Sequence, residues 1–349
     1  MAGPPQLITI QIHGYRPFKD FKAEFGPIEV IVGANASGKS SLFEFLRFLR
    51  DGMNAEIPPE IVTGWIGQQI FHVPGPERFS WCAETESERF AVVYQGEVMG
   101  PVGRPRVVRE RLLRRPDAEE LVAGETGQSP HNWLALARAY PSAEASCELR
   151  ECIRAWRFYS AFSIADDKIR RPAVIEENPV LAEDCGNLAA VLFHLMTEHK
   201  EAFDELQVHL RLAIPGFRGL SVKAGGGRGL VTGFWQEDGV DGELALADLS
   251  DGVLRFLCWA VLCIDPDPPP LICIDEPDLG VHPRTLPILA GLFKKASQRT
   301  QFLLASHASY FLTQFDISEI AVMRKENGEA KFIKPKDSKA LMAVLEEFG

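Results

Sequence analysis

Gly33-Ala34-Asn35-Ala36-Ser37-Gly38-Lys39-Ser40 has the form G-x-x-x-x-G-K-[ST]. It follows the apolar run Ile28-Glu29-Val30-Ile31-Val32 and precedes Ser41 to Leu49, whose apolar spacing is helical. A strand feeding a glycine-rich loop that opens a helix is the context in which this pattern binds phosphate. Successive backbone N–H groups curl into an anion nest, and the helix N-terminus adds partial positive charge. Lys39 is expected to reach the β- and γ-phosphates, and the hydroxyl of Ser40 suits Mg2+. Ser41, next in the chain, completes this set of nucleotide-binding candidates. The loop predicts ATP or GTP binding and names no biological role.

At 349 residues the chain has the length of about two domains, or of one large α/β domain with an insertion. Its 46% hydrophobic content is ordinary for a globular protein. With 37 basic and 48 acidic residues the net charge is −11, which argues against a broad basic surface for nucleic acid but leaves room for a local stripe. The seven cysteines form no C-x-x-C pair, and Cys258, Cys263 and Cys273 sit in apolar runs. Buried thiols in a reducing cytoplasm are expected, not a zinc site or a disulfide framework. No basic-plus-apolar leader and no run of 18 apolar residues is present, so a cytoplasmic protein without a membrane partner is expected.

Leu7 to Ile12 and Phe18 to Phe25 alternate with period two around Gly14-Tyr15-Arg16-Pro17 and predict a strand pair. Strands are also expected over Arg89–Gln95 and Arg104–Leu113, within an antiparallel lobe. Arg109, Arg111, Arg114 and Arg115 are the densest basic cluster and read as a solvated edge strand, with phosphate contact the alternative. Residues 116–150 read as an insertion with a weak helical signal at Asn132–Ala137, and Arg154–Ser160 as a strand returning to the core. One helical segment is expected from Asn187 to Pro215-Gly216, then a hairpin around Gly225-Gly226-Gly227.

Asp248-Leu249-Ser250-Asp251-Gly252-Val253 leads into the apolar helix Leu254 to Ile264. Leu271-Ile272-Cys273-Ile274 is a wholly apolar run ending in Asp275-Glu276-Pro277, the mark of a buried parallel strand with two carboxylates at its ligand-facing end. Asp275 is placed for Mg2+ and Glu276 to polarise an attacking water. A second apolar strand, Gln301 to Ala305, ends in Ser306-His307, and His307 stands where a γ-phosphate sensor would be expected. His282 reads as a loop-shaping residue. Glu319 to Lys334 reads as a hairpin around Asn327-Gly328, and Ser338 as the cap of a final helix.

The order of these motifs resembles the ABC-type ATPase heads of the RecF and SMC-like group, over roughly residues 6–50 and 180–325. The resemblance is greatest to compact bacterial members without a long coiled coil. It is carried by Ile8-x-Ile10-x-x-x-Gly14-Tyr15-x-x-Phe18, the loop 33–40, Leu249-Ser250-Asp251-Gly252, Glu276-Pro277-Asp278-x-Gly280-x-His282-Pro283 and Ser306-His307. It implies an α/β fold, a P-loop NTPase of ABC-ATPase type, with a mixed central sheet, an antiparallel β lobe and a helical subdomain. The corresponding partition is 1–115, head with P-loop and β lobe; 116–150, insertion; 151–247, helical subdomain; 248–349, remainder of the head. Gly33, Ala34, Asn35, Ala36, Ser37, Gly38, Lys39, Ser40 and Ser41 would hold ATP, with Ser40 and Asp275 on Mg2+ and Lys39, Glu276 and His307 catalytic. Ser250 and Gly252 would face ATP bound by a second copy, giving an ATP-dependent homodimer in which one surface is used twice.

Asp251 departs from the glycine many such ATPases carry, and the glutamine that contacts metal and water has only Gln68, Gln69 and Gln95 as candidates. The stretch after His307 is too short for the TOPRIM nuclease domain of some relatives, so a nuclease or other effector is expected as a separate polypeptide. The function implied is an ATP-hydrolysing dimeric switch on DNA or on such an effector, in DNA repair or antiphage defence. The alternatives are a transporter's nucleotide-binding subunit, a P-loop kinase and a clamp that does not hydrolyse ATP. A kinase would leave Ser250-Asp251-Gly252 and His307 without a role.

Overall fold

The computed structural model describes residues 4–57, 70–100, 106–116, 119–125, 132–138, 144–161, 167–225 and 229–335. Gln68, Gln69, Gly226, Gly227 and the helix expected after Ser338 lie outside them. The chain forms two compact units, Met1–Trp156 with Ile317–Gly349, and Arg157–Asp316.

In the first unit β1 (Gln6–Tyr15) and β2 (Phe18–Glu24) form the expected hairpin. They continue through β4 (Arg78–Glu86), β5 (Ala91–Met99), β6 (Arg106–Arg115) and β7 (Glu119–Glu125) into an antiparallel sheet of order β2-β1-β4-β5-β6-β7. The P-loop strand β3 (Ile28–Val32) is buried along its whole length and pairs in parallel with β15 (Ile320–Glu326). β15 in turn pairs antiparallel with β16 (Glu329–Ile333) across Asn327-Gly328, both of which have positive φ. Helix α1 (Lys39–Gly52) buries Leu42, Phe45, Leu46, Phe48 and Leu49, one face at helical spacing. Phe45 stands 5.1 Å from Tyr15 and 6.1 Å from Phe79, within an aromatic core shared with the antiparallel sheet. Each such ring contributes roughly 1.5–3 kcal/mol by leaving water.

Three local expectations change. β6 lies between β5 and β7, not at an edge. Arg109, Arg111 and Arg115 alternate onto one solvated face of the sheet, where acids meet two of them, Arg111 and Glu120 at 3.1 Å and Arg115 and Glu84 at 2.6 Å, while Arg114 is exposed near the strand's end. Within 116–150, Glu119–Glu125 adds a strand to the sheet and α2 (Ala135–Arg138) is a single turn. Glu144–Arg154 is helix α3, so the strand read from Arg154 begins only at Arg157.

In the second unit β13 (Leu271–Asp275) lies between β14 (Gln301–Ser306) and β8 (Arg157–Ser160), parallel to both. The segment from Asn187 is two helices, α4 (Leu188–Glu198) and α5 (Lys200–Ala213), interrupted at His199, whose φ of −130° and ψ of 58° leave the helical region. Asn187 braces the entry to α4, its side chain accepting from Ala182 N at 2.8 Å and donating to Val180 O at 3.0 Å. A small antiparallel sheet of β10 (Phe217–Ala224), β11 (Leu230–Glu237), β12 (Leu244–Ala245) and β9 (Ala173–Val174) precedes helix α6 (Asp251–Ile264). Ten residues of α6 are buried, from Leu254 onward, and it packs against α5 and α7 (Leu286–Ala296). No helix of the described residues is long and apolar enough to cross a membrane.

Candidate functional site

The P-loop has the shape of an anion cradle. Ala36 and Gly38 take positive φ, 61° and 113°, which turns backbone N–H groups inward. Gly33 has no room for a side chain: a Cβ there would lie 2.0 Å from the carbonyl oxygen of Met323 on β15. Lys39 is 6% exposed and donates to the Gly33 carbonyl at 2.6 Å and the Ala34 carbonyl at 3.2 Å, so its ammonium is held over the loop. Ser37 is buried with its Oγ unpartnered, while Ala34, Asn35, Ala36 and Ser40 are exposed. Ser41 is half-buried in the first turn of α1. A glycine cradle, a held ammonium and an orphan hydroxyl are the donor set that a polyphosphate requires. The exposed hydroxyl of Ser40 is a hard oxygen donor, the type Mg2+ prefers.

The second unit gathers Asp275, Glu276, Asp278, Ser306 and His307 where β13 and β14 end side by side, Asp275 opposite Ala305. Glu276 has φ 55°, a conformation that costs a non-glycine residue about 1–3 kcal/mol. Its N–H donates to the Ala305 carbonyl at 2.8 Å, which pins it there, and its Oε1 lies 3.2 Å from Nε2 of His307. The strained turn therefore aims one carboxylate at one imidazole. Ser306 Oγ donates to Asp278 Oδ1 at 2.5 Å, and burial raises the Asp278 carboxyl above its usual range. His282 shapes its loop: Nδ1 accepts from Arg284 N at 3.2 Å and its carbonyl accepts from Thr285 Oγ1 at 2.8 Å.

Ser250 caps α6, its Oγ accepting from Val253 N at 3.4 Å. A Cβ on Gly252 would come within 2.5 Å of the Gly280 carbonyl, so the turn before α6 and the loop after Glu276 touch backbone to backbone. Arg255 fastens the same contact, donating to Leu279 O and Ala161 O, each at 3.2 Å, and Trp259 Nε1 donates to Pro277 O at 2.9 Å. A cavity of about 650 Å³ opens beside this turn, lined in part by Ser250, Gly252, Gly280, His282 and Arg284.

Residues 28–313 match the family described as AAA domain, putative AbiEii toxin, Type IV TA system. The chain belongs to that family. Among solved structures this AAA-domain protein is similar to the Smc head domain with an extended coiled coil from Pyrococcus furiosus, bound to the C-terminal domain of ScpA. That likeness has 13% identity and a TM-score of 0.58 over 98% of this chain and 99% of that one. The SMC head domain from Thermotoga maritima gives 12% identity and a TM-score of 0.53 over 95% and 100%. No curated protein matches. The fold of this AAA-domain protein is thus that of an SMC/RecF-like ABC-type ATPase.

The expected motifs of this ATPase occupy loops and strand ends, but Gln95 does not: it lies inside β5, its amide 3.5 Å from the sulfur of Cys82. Arg170 and Arg255 belong to no recognisable motif. Arg170 stands far from its partners in the chain, on the short turn Asp167–Arg170. Arg255 is a lone cation in an apolar helix, and that isolation is its one local mark as the anchor of a loop.

Proposed function

We propose that the chain is an ATP hydrolase working as an ATP-gated dimeric switch. The observation that carries this reading is the strained Glu276 held 3.2 Å from His307 at a parallel strand end, in a chain of P-loop ATPase family. A carboxylate at such a position can accept a proton from an attacking water, while an imidazole beside it can meet developing phosphoryl charge. Gly33 to Ser41 bind the triphosphate, and Lys39 neutralises its charge. Ser40 and Asp275 would hold Mg2+, which when bound supplies positive charge to the phosphate oxygens. Ser250 and Gly252 face the ATP of a second copy. ATP shifts the equilibrium because it binds the closed pair better than the open chains, and only that difference can move it.

The switch acts on DNA or on a separately encoded effector such as a nuclease, in DNA repair or antiphage defence. Two facts support this assignment. The family's description names a putative toxin of a toxin–antitoxin system, and the Pyrococcus furiosus relative is bound to another polypeptide. Glu276→Gln tests the core of the reading. It is expected to keep ATP binding, to lose at least about a hundredfold in turnover and to elute as a dimer only with ATP. A nucleotide-loaded monomer would sink the dimeric switch, and unchanged turnover would remove Glu276 from the chemistry.

A further inference from the structure

Asp251 poses an electrostatic problem for the turn it belongs to. It stands between Ser250 and Gly252 in the first turn of α6, and its side chain is 52% exposed. There it suits the positive end of the helix. A carboxylate beside two residues that must approach a polyphosphate is also a like charge, which in a closing interface is costly.

Arg170 meets that charge. Its Nη2 lies 2.5 Å from Asp251 Oδ1, and its Nη1 donates to the carbonyls of Ala247 at 2.5 Å and Leu249 at 2.7 Å. One guanidinium thus ties together the segment entering the turn and the first residue of the helix, in the planar fork geometry that lysine cannot reproduce. Arg170 is itself anchored. Its neighbour Ile169 is buried, and Lys168 pairs with Asp184 at 2.9 Å. Asp184 also accepts from Gly186 N at 3.0 Å, just before α4. The fork is therefore held from the α4 side while it grips the turn before α6.

We propose that Arg170 is the positioning residue of the Ser250-Asp251-Gly252 turn. In this role it sets the path of the turn through the two carbonyls and cancels the charge of Asp251, so that the turn can meet a nucleotide phosphate. This rests on the reading that Ser250 and Gly252 face ATP bound by a second copy. Where glycine replaces Asp251, the second task disappears, so the two residues form one functional unit.

The test uses the full chain in the Glu276→Gln background, with ATP and Mg2+. It measures dimer dissociation by analytical ultracentrifugation, nucleotide affinity of the monomer with a fluorescent ATP analogue, and nucleotide-free melting. Adding Arg170→Ala is expected to weaken the dimer at least about tenfold and to leave monomer affinity within about twofold. Adding Asp251→Gly to that pair is expected to recover the part of the loss that the uncancelled charge causes, and to leave the part owed to the two carbonyl contacts, without raising the melting temperature. Arg170→Gln keeps donors but no charge, serves where the alanine variant does not fold, and is expected to show the same recoverable loss. A dimer indifferent to Arg170, or a loss of which Asp251→Gly recovers nothing, overturns the proposal. If Glu276→Gln alone fails to dimerise, the dimeric reading itself falls first, and that control distinguishes the two failures.

Discussion

Gly33 shows how a single hydrogen decides the state of the nucleotide loop. Because a Cβ would sit 2.0 Å from the Met323 carbonyl, Gly33→Ala must displace either the loop or β15, both of which are backbone. Such overpacking costs about 1–3 kcal/mol or more. The variant is expected to lose at least about tenfold in ATP affinity along with that stability. Gly291→Ala is its control, since nothing lies within 4 Å of that site on α7. There alanine is expected to be neutral or to stabilise by up to about 1 kcal/mol. Isothermal titration and thermal melting of the pair check both outcomes, and equal behaviour of the two variants would refute the close approach. At this scale the sequence was most legible where function is written locally. The P-loop and Asp275-Glu276 carry their own context, strand before and turn after. Arg170 was not legible, because its role depends on acceptors at Ala247, Leu249 and Asp251 that only the tertiary fold brings to it.

Among the elements, β3 carries the least expected group, a carboxylate inside a strand with no exposed residue. Glu29 is wholly buried, with Lys334 and Gly26 N as its partners and Glu319 adding like charge. Burial outweighs the ammonium and pushes its carboxyl up to about 7. A carboxyl raised on folding binds more protons in the native state than in the unfolded one. Its contribution to stability is therefore complete below the unfolded value near 4.5 and is lost as pH rises through about 7. The loss amounts to roughly 3 kcal/mol by that shift. Glu29→Gln removes the titration, so its stability relative to the native chain is expected to grow between pH 5 and 8, as read by denaturant melts at each pH. A gap that stays constant over that range would show that Glu29 does not titrate there. The apolar flanks made this strand legible, whereas the interior place of β6 was not, because Glu119–Glu125 shows no alternation that would announce a seventh strand. Periodicity reports burial, and a strand solvated on one face looks the same at an edge and inside a sheet.

At the level of the whole chain, the first unit is closed by residues that arrive last. The polypeptide leaves it at Trp156 and returns at Ile317. The returning segment supplies β15, whose Ile320, Ala321 and Val322 pair with Val30, Ile31 and Val32 immediately before the P-loop. It also supplies the Met323 carbonyl that packs on Gly33, the Ala330 N–H that donates to Pro17 O at 2.9 Å, and Phe332 against Phe21 and Phe25. The Asn327-Gly328 turn announced this hairpin, but no local pattern said that it would seat against a strand some 290 positions earlier, as the Ile320–Val30 pairing does. The nucleotide loop thus depends on two segments far apart in the sequence. Ala321→Pro removes a backbone donor from a strand paired on both sides, and the acceptor left unsatisfied in the buried sheet costs about 1–3 kcal/mol. It is expected to abolish ATP binding although no nucleotide candidate is altered, and a chain ending at residue 316 is expected to do the same. Fluorescent-nucleotide titration with limited proteolysis reads the result: resistant fragments should derive from Arg157–Asp316, while residues 4–57 become sensitive. Wild-type affinity in either variant would mean that the P-loop holds its shape without the returning strand.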